Sequence, residues 1–405
     1  MAENEKHGTA RASSGRRNFL KNAGLISAGA LLNKGAFSAD APPPPPPAAE
    51  AAVGRPLEHR TLGRTGLKVA PIGLGTIPLF RAPRDQAIDV VRKAGELGIN
   101  YIDLARGYRN GKAEEWVGEA IKGHREKFVI VTKSTNYTSG IAEHVDLSLK
   151  ALQTDYIDVY CFHSLMQDEQ WKTVIGPNGA MEALKRAQKA GKIRFIGISG
   201  HRSDQFTEII KGGDIDLAIM IFNYVFDDAL ADLLPTAKKL NVGIAGIKPF
   251  AGCFLNQHEL SLRWILEHPI DVTVPGMWQT EEVIANARLL REYTALNESE
   301  REYLSEEKKY WYYRICRVCY QCKPCPQGVA YTSLFMLPLM LRRNGFYLTL
   351  EENKGKFKYL NEMDKVDKCN NCGLCIETCK YHMPIPDIIR DVKRTYYDVV
   401  KLYKV

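Results

Sequence analysis

The sequence predicts an α/β protein: a (β/α)8 barrel of the TIM type followed by a small cysteine-rich domain. Three observations predict it. Eight short apolar runs alternate with amphipathic segments from about residue 57 to 300, the rhythm of repeated strand–helix units. The runs are nearly continuous in apolar residues, as strands covered by helices on both faces must be. Eight of the ten cysteines crowd into two runs in the last quarter of the chain, so a differently organised segment follows the barrel.

In order, the expected strands are Val69 to Gly75, Tyr101 to Leu104, Phe128 to Thr132, Tyr156 to Phe162, Ile193 to Ile198, Leu217 to Phe222, Val242 to Ile247 and Val272 to Pro275. Between them, Gln86 to Leu97, Gly179 to Ala190 and Ala229 to Leu240 repeat apolar residues at three- and four-residue steps and are expected to be helical. Eight units in about 240 residues fit a closed barrel better than an open doubly wound sheet. The hairpin-like stretch from Glu58 to Lys68 precedes the first strand and is expected to close the barrel's bottom. Gly73 and Gly75 lack the strand–GxGxxG–helix spacing, so the dinucleotide fingerprint is absent.

The 45% hydrophobic and 25% charged residues describe a folded soluble protein of two or three domains. A net charge of +8 is modest for 405 residues. The one local basic cluster, Lys354, Lys356, Lys358, Lys365 and Lys368, has no arginines and reads as a solvated loop, so no nucleic-acid partner is expected. At the N-terminus Arg16-Arg17-Asn18-Phe19-Leu20-Lys21 precedes a weakly apolar stretch, Ala23 to Leu32, and small residues at Ala36, Ser38 and Ala39. That order resembles a twin-arginine export signal rather than a chance basic cluster. The apolar stretch of about ten residues is too short to span a bilayer that needs about 20. Residues 1–39 are thus expected to be a signal peptide for periplasmic or other export, touching a membrane only as an uncleaved anchor. Pro42 to Pro47 make 40–56 a stiff linker. The barrel is expected over 57–300 and the cysteine-rich domain over 301–405.

Chemistry in such a barrel sits at the C-terminal ends of its strands. Asp103 lies near the end of strand two, Tyr108 in the loop after it, Lys133 directly after strand three and His163 directly after strand four. Alone, a strand-end lysine is usually solvated and a lone histidine a satisfied rim residue; together they come from adjacent strands and face one mouth. A phenol of ordinary pKa about 10 donates a proton easily near neutrality only when a cation stabilises its anion. Lys133 supplies that cation, Asp103 holds the lysine, and His163 orients a carbonyl oxygen beside the Tyr108 hydroxyl.

Asn100-Tyr-Ile-Asp103-Leu-Ala-Arg-Gly-Tyr108, Val131-Thr-Lys133, Asp158-Val-Tyr-Cys-Phe-His163 and Gly197-Ile-Ser199 resemble, in order, the successive motifs of the aldo-keto reductases, over roughly residues 57 to 290. The resemblance implies hydride transfer between NADH or NADPH and a small carbonyl or alcohol substrate, with Tyr108 as general acid or base. It also implies cofactor contacts at Ser199, Lys248, Pro249 and Asn286. Gly276 and Glu282 stand where many members carry the Lys and Arg that hold the 2′-phosphate of NADPH, and Ile247 replaces an aromatic that often stacks on nicotinamide. A carboxylate there repels that phosphate, so weak NADPH discrimination or NADH preference is expected.

The cysteines form C-x2-C-x2-C-x2-C-P at Cys316, Cys319, Cys322 and Cys325, and C-x2-C-x2-C-x3-C at Cys369, Cys372, Cys375 and Cys379. The second spacing is that of bacterial ferredoxins, in which three thiolates of a run hold one [4Fe-4S] cluster and the fourth reaches the other. One or two clusters in a ferredoxin-like α+β or helical domain are expected. Disulfides and zinc stay as alternatives, and the first run departs from the ferredoxin spacing by one residue. Cys161 and Cys253 stand alone and read as core or loop residues. Aldo-keto reductases with a ferredoxin-like extension form a recognisable subgroup, which this chain resembles. The expected function is an exported oxidoreductase that relays electrons to or from a redox partner protein; the alternative is an electron carrier or binding protein whose barrel does not turn over.

Overall fold

The computed structural model describes residues 55–79, 82–340 and 360–403. The export signal, most of the proline-rich linker and the Lys354 to Lys358 part of the basic cluster lie outside the described residues. Two compact units divide the chain: one holds the described residues 55–323 and 374–383, the other 324–340, 360–373 and 384–403.

The first unit is the barrel. A small antiparallel pair, β1 (Arg60–Thr61) and β2 (Lys68–Val69), precedes eight parallel strands: β3 (Leu74–Gly75), β4 (Tyr101–Asp103), β5 (Val129–Ser134), β6 (Ile157–Leu165), β7 (Ile193–Gly200), β8 (Leu217–Ile221), β9 (Gly243–Ile247) and β10 (Val272–Val274). Each pairs with the next in sequence. Parallel bridges Ile72↔Thr273 and Gly75↔Gly276 bring the two edges of the sheet together. That seam needs bare backbone on both sides. A Cβ on Gly75 would stand 2.8 Å from the Pro275 carbonyl oxygen, and one on Gly276 would stand 2.7 Å from Cγ of Pro78.

Val69, Val131, Val159, Ile219, Ala245 and Val272 fill the barrel's interior as one buried cluster, and the outward residues of the same strands join the helices in another. Three expectations need correction. The first strand was expected from Val69, but Val69 pairs with Arg60 in the hairpin, Ile72 makes only an isolated bridge to Thr273, and the strand begins at Leu74. The Ala229 to Leu240 segment is not one helix: it divides into a 3-10 turn, Asp228–Leu230, and a helix, Leu233–Leu240. Pro235 lacks the N–H that would bond the carbonyl of Ala231, so it is tolerated only in a first turn. The helix expected from Gln86 to Leu97 runs from Arg84 to Glu96, starting two residues and ending one residue earlier.

After helix Glu298–Trp311 the chain enters the first cysteine run, and a one-turn helix, Leu374–Glu377, lies between Cys372 and Cys379. The second unit contains short helices Tyr331–Leu334 and Leu360–Met363 and the long amphipathic helix Ile385–Tyr403. Its Arg390 donates to Asn371 Oδ1, and Lys393 pairs with Asp367 at 2.5 Å. These contacts tie the long helix to the segment around Cys369 and Cys372. Among the described residues no helix is long and apolar enough to cross a membrane.

Candidate active site

Lys133 and Asp103 form a buried ion pair at the mouth, Nζ to Oδ1 2.7 Å, with side chains 2% and 7% exposed. The pairing follows from register: Asp103 ends β4, and Lys133 lies on the adjacent β5 where Asp103 faces Val131. Lys133 Nζ also donates to the Leu104 carbonyl at 2.6 Å. Burial pulls the ammonium's pKa down most strongly, but Asp103, Tyr108 and Cys161 together outweigh it, and the lysine stands above its ordinary pKa. Burial likewise pushes the Asp103 carboxyl up, against the pull of Lys133. Asp103 Oδ2 is buried with no partner among the described residues. The lysine is therefore the main group keeping that carboxylate charged.

Tyr108 packs edge-on against His163, ring centroids 5.9 Å apart. Its loop is shaped by the residues around it. Arg106 pairs with the fully buried Glu114 at 2.6 Å, and Glu114 also accepts from Thr132 Oγ1 at 2.7 Å. Arg109 and Asn110 then take left-handed backbone, and Gly111 follows at φ +87°. The left-handed backbone at Gly111 favours glycine, and a Cβ there would press on the Arg106 guanidinium.

His163 sits in an irregularity of β6: pairing to β7 slips between Phe162 and Leu165, and Ser164 takes φ +60°. Such a bulge re-aims a side chain at a strand end. Tyr137 holds it there, donating to the His163 carbonyl at 2.6 Å. Burial first, then the charges of Lys133 and Lys248, lower the imidazole pKa to about 3. The ring is neutral at physiological pH and offers one N–H and one lone pair.

Asp103 pairs with Lys133, Tyr108 lies within electrostatic reach of that lysine, and His163 packs on Tyr108, so the four side chains are brought together. Ser199 is the penultimate residue of β7, buried, and its hydroxyl accepts the Ser164 N–H at 3.4 Å. Lys248 follows β9 with left-handed backbone, φ +55°, a strain that clusters at functional sites. Pro249 is buried and its carbonyl accepts from Ser261 at 3.1 Å. Asn286 lies within helix Thr280–Arg291, whose N-cap is Gln279, so it is not a cap. Glu282 closes a capping box there, accepting from the N–H groups of Trp278 at 2.7 Å and Gln279 at 3.2 Å.

The family profile described as Aldo/keto reductase family matches residues 71–260, the strands that carry this tetrad. An uncharacterized oxidoreductase of Bacillus subtilis is 31% identical over 50% of this chain and 68% of its own length. The chain belongs to the aldo/keto reductase family. It is an oxidoreductase of that type. L-galactose dehydrogenase of Arabidopsis thaliana is 33% identical over 48% of this chain and 66% of its own length, so the match spans about two thirds of these relatives. The holo form of an aldo-keto reductase from Bacillus halodurans superposes with a TM-score of 0.55 at 28% identity, covering 62% of this chain and 96% of its own.

The reductase barrel's unit also carries Cys316, Cys319, Cys322, Cys375 and Cys379, whereas Cys325, Cys369 and Cys372 lie in the other unit. Burial pushes the Cys316 thiol up to about 12, and its electrostatic neighbours are Cys319, Cys322 and Cys379. Among the described residues no disulfide forms, and no three His, Cys, Asp or Glu side chains converge tightly enough to hold a metal ion. Of the eight predicted donors, Cys316, Cys319, Cys322, Cys375 and Cys379 are electrostatic neighbours within one unit, not in ion-binding geometry.

Sequence reasoning missed His201, Tyr137 and Arg106. His201 Nδ1 lies 3.1 Å from the Val318 carbonyl, and its Nε2 lies 3.0 Å from Lys248 Nζ. The ammonium donates to Nε2, so the ring N–H at Nδ1 donates to the cysteine loop. His201 directly follows Ser199-Gly200 at a strand end, a signal that was available.

Proposed function

We propose that this chain is an exported aldo-keto reductase whose barrel transfers hydride between a nicotinamide and a small carbonyl or alcohol. Its thiolates would hold one or two [4Fe-4S] clusters that exchange electrons with a redox partner. The observation that carries the barrel reading is the buried Lys133–Asp103 pair beside Tyr108 and His163.

Bound nicotinamide supplies the hydride that reaches the carbonyl carbon. The chain's own residues manage the oxygen. Neutral His163 donates a hydrogen bond to it, and Tyr108 transfers its phenolic proton as the carbon–oxygen double bond becomes an alkoxide. The Lys133 ammonium stabilises the resulting phenolate, and Asp103 keeps that ammonium in place and charged. In the reverse direction Tyr108 is the base. The cofactor lies, on this reading, along Ser199, Lys248, Pro249 and Asn286. Glu282, fixed in its capping box at the start of a helix, then confronts a 2′-phosphate with like charge, which favours NADH.

The cluster reading rests on donor chemistry. Cys316, Cys319, Cys322 and Cys379 share one unit, while Cys325 falls with Cys369 and Cys372. That exchange of fourth cysteines is the pattern of two-cluster ferredoxins; Cys375, placed with the first set, departs from it. A bound cluster supplies one-electron transfer. Export by the twin-arginine route suits a protein that folds around such a group before crossing.

Tyr108→Phe tests the barrel reading. Reduction of a panel of small aldehydes by NADH and NADPH should fall by about 10² to 10⁴, with nicotinamide binding retained in a fluorescence titration. Wild-type protein that binds neither nicotinamide and reduces no aldehyde, yet carries redox-active iron, would instead be an electron carrier.

A further inference from the structure

Two strained residues far apart in the chain meet on one histidine ring. Lys248, which follows β9, has left-handed backbone at φ +55°, and Val318, in the loop after helix Glu298–Trp311, has φ +54°. For a β-branched valine that conformation is an outlier, and such strain persists only where surrounding contacts hold it. His201 supplies a contact to both: its Nδ1 lies 3.1 Å from the Val318 carbonyl oxygen, and its Nε2 lies 3.0 Å from Lys248 Nζ. All three residues belong to the barrel's unit. An ammonium has no lone pair to give, so Nε2 accepts from it and the ring proton sits on Nδ1, where it donates to Val318. The loop carbonyl thereby selects the tautomer that can receive the lysine.

The backbone of Lys248 is fixed as well. Its carbonyl accepts from Asn223 Nδ2 at 3.0 Å and from the Ala251 N–H at 2.9 Å. Asn223 is fully buried, and its Oδ1 accepts from the N–H groups of Val225 and Phe226, both at 2.9 Å. With both ends of Lys248 tied, its long stem has little rotamer freedom left to lose when a cofactor arrives. We propose that His201 is a positioning residue for nicotinamide binding: it presents the Lys248 ammonium in a fixed place at the barrel mouth, braced by the Val318 carbonyl of the loop beyond the barrel. The inference rests on the nicotinamide reading above. His201 acts on affinity through Lys248 and transfers no proton.

The test measures NADH and NADPH dissociation constants of full-length protein by fluorescence titration, once circular dichroism has shown each variant folded. His201→Asn, whose amide reaches Val318 but not Lys248, should bind the tighter of the two nicotinamides about tenfold more weakly. His201→Gln, whose longer side chain sets an acceptor where Nε2 lay, should recover most of that loss. In a Lys248→Met background His201→Asn should cost almost nothing further, because the group it positions is gone. His201→Phe, a ring without nitrogens, takes over these measurements if the asparagine variant does not fold. Wild-type affinity in His201→Asn or in Lys248→Met would overturn the proposal. So would an equal loss in the asparagine and glutamine variants, or the same loss with and without Lys248, either of which is the mark of packing alone. Wild type that binds neither nicotinamide would instead sink the reductase reading itself, a result read before any variant is compared.

Discussion

Replacing Lys133 with methionine tests the reasoning at its centre. The ammonium faces Asp103 at 2.7 Å with both side chains buried. At an effective dielectric of about 20, that separation corresponds to a gross attraction of about 6 kcal/mol. Desolvation cancels much of this in the intact pair, but removing one partner leaves a buried carboxylate alone, which costs about 3–5 kcal/mol. For a barrel of this size that is a fall of roughly 6 to 20 °C in Tm. Burial already pushes the Asp103 carboxyl up, so without the lysine the folded state binds its proton more tightly than the unfolded chain does. Stability of the variant should therefore fall as pH rises from about 4, the ordinary carboxylate value. Adding Asp103→Asn removes the stranded charge and should restore about 2 kcal/mol or more, while aldehyde turnover stays lost. Thermal unfolding followed by circular dichroism, with turnover on the same samples, reads both effects. A single variant losing less than about 1 kcal/mol, or a double variant no more stable than the single one, would refute the account.

Three further outcomes are expected. Between pH 6.5 and about 3 the unfolded chain binds a proton that buried His163 refuses. His163 should contribute a stability loss of about 1.4 kcal/mol per unit of falling pH in that window, which His163→Gln should remove from the slope while the contribution of buried His201 remains. Glu282→Gln keeps a capping-box acceptor but loses the charge, so the ratio of NADPH to NADH dissociation constants should drop about fivefold, near 1 kcal/mol, at unchanged Tm; a constant ratio would show that the carboxylate does not face the 2′-phosphate. Arg106→Met strands Glu114, 0% exposed, which retains only the Thr132 hydroxyl. A loss of about 2–4 kcal/mol should accompany reduced turnover, as the Tyr108 loop loses its tether.

The barrel was legible because its strands are buried on both faces and therefore carry unbroken apolar runs that periodicity detects. The tetrad was legible because strand ends in this architecture converge, so linear position alone predicts proximity. What escaped depended on other forces. Val69 satisfies the apolar pattern of a barrel strand, but its antiparallel pairing with Arg60 claims it for the hairpin. Leu230 and Leu240 share a helical period that Pro235 interrupts. Tyr137 and His201 act through contacts to backbone carbonyls far away in sequence, which no local spacing encodes. The cysteine spacing did not say which compact unit would claim each residue.

The glycine seam between Gly75 and Gly276 bears on how this barrel's cofactor choice could change over evolution. A lysine at position 276 would meet Pro78 before it met any phosphate. Gaining a 2′-phosphate clamp there is thus an ordered, two-step path: Pro78 must yield first, in a step that brings no new binding of its own. Selection for NADPH would reach Glu282 sooner, since its replacement disturbs only a helix cap, and the two sites of the clamp would be acquired in that sequence.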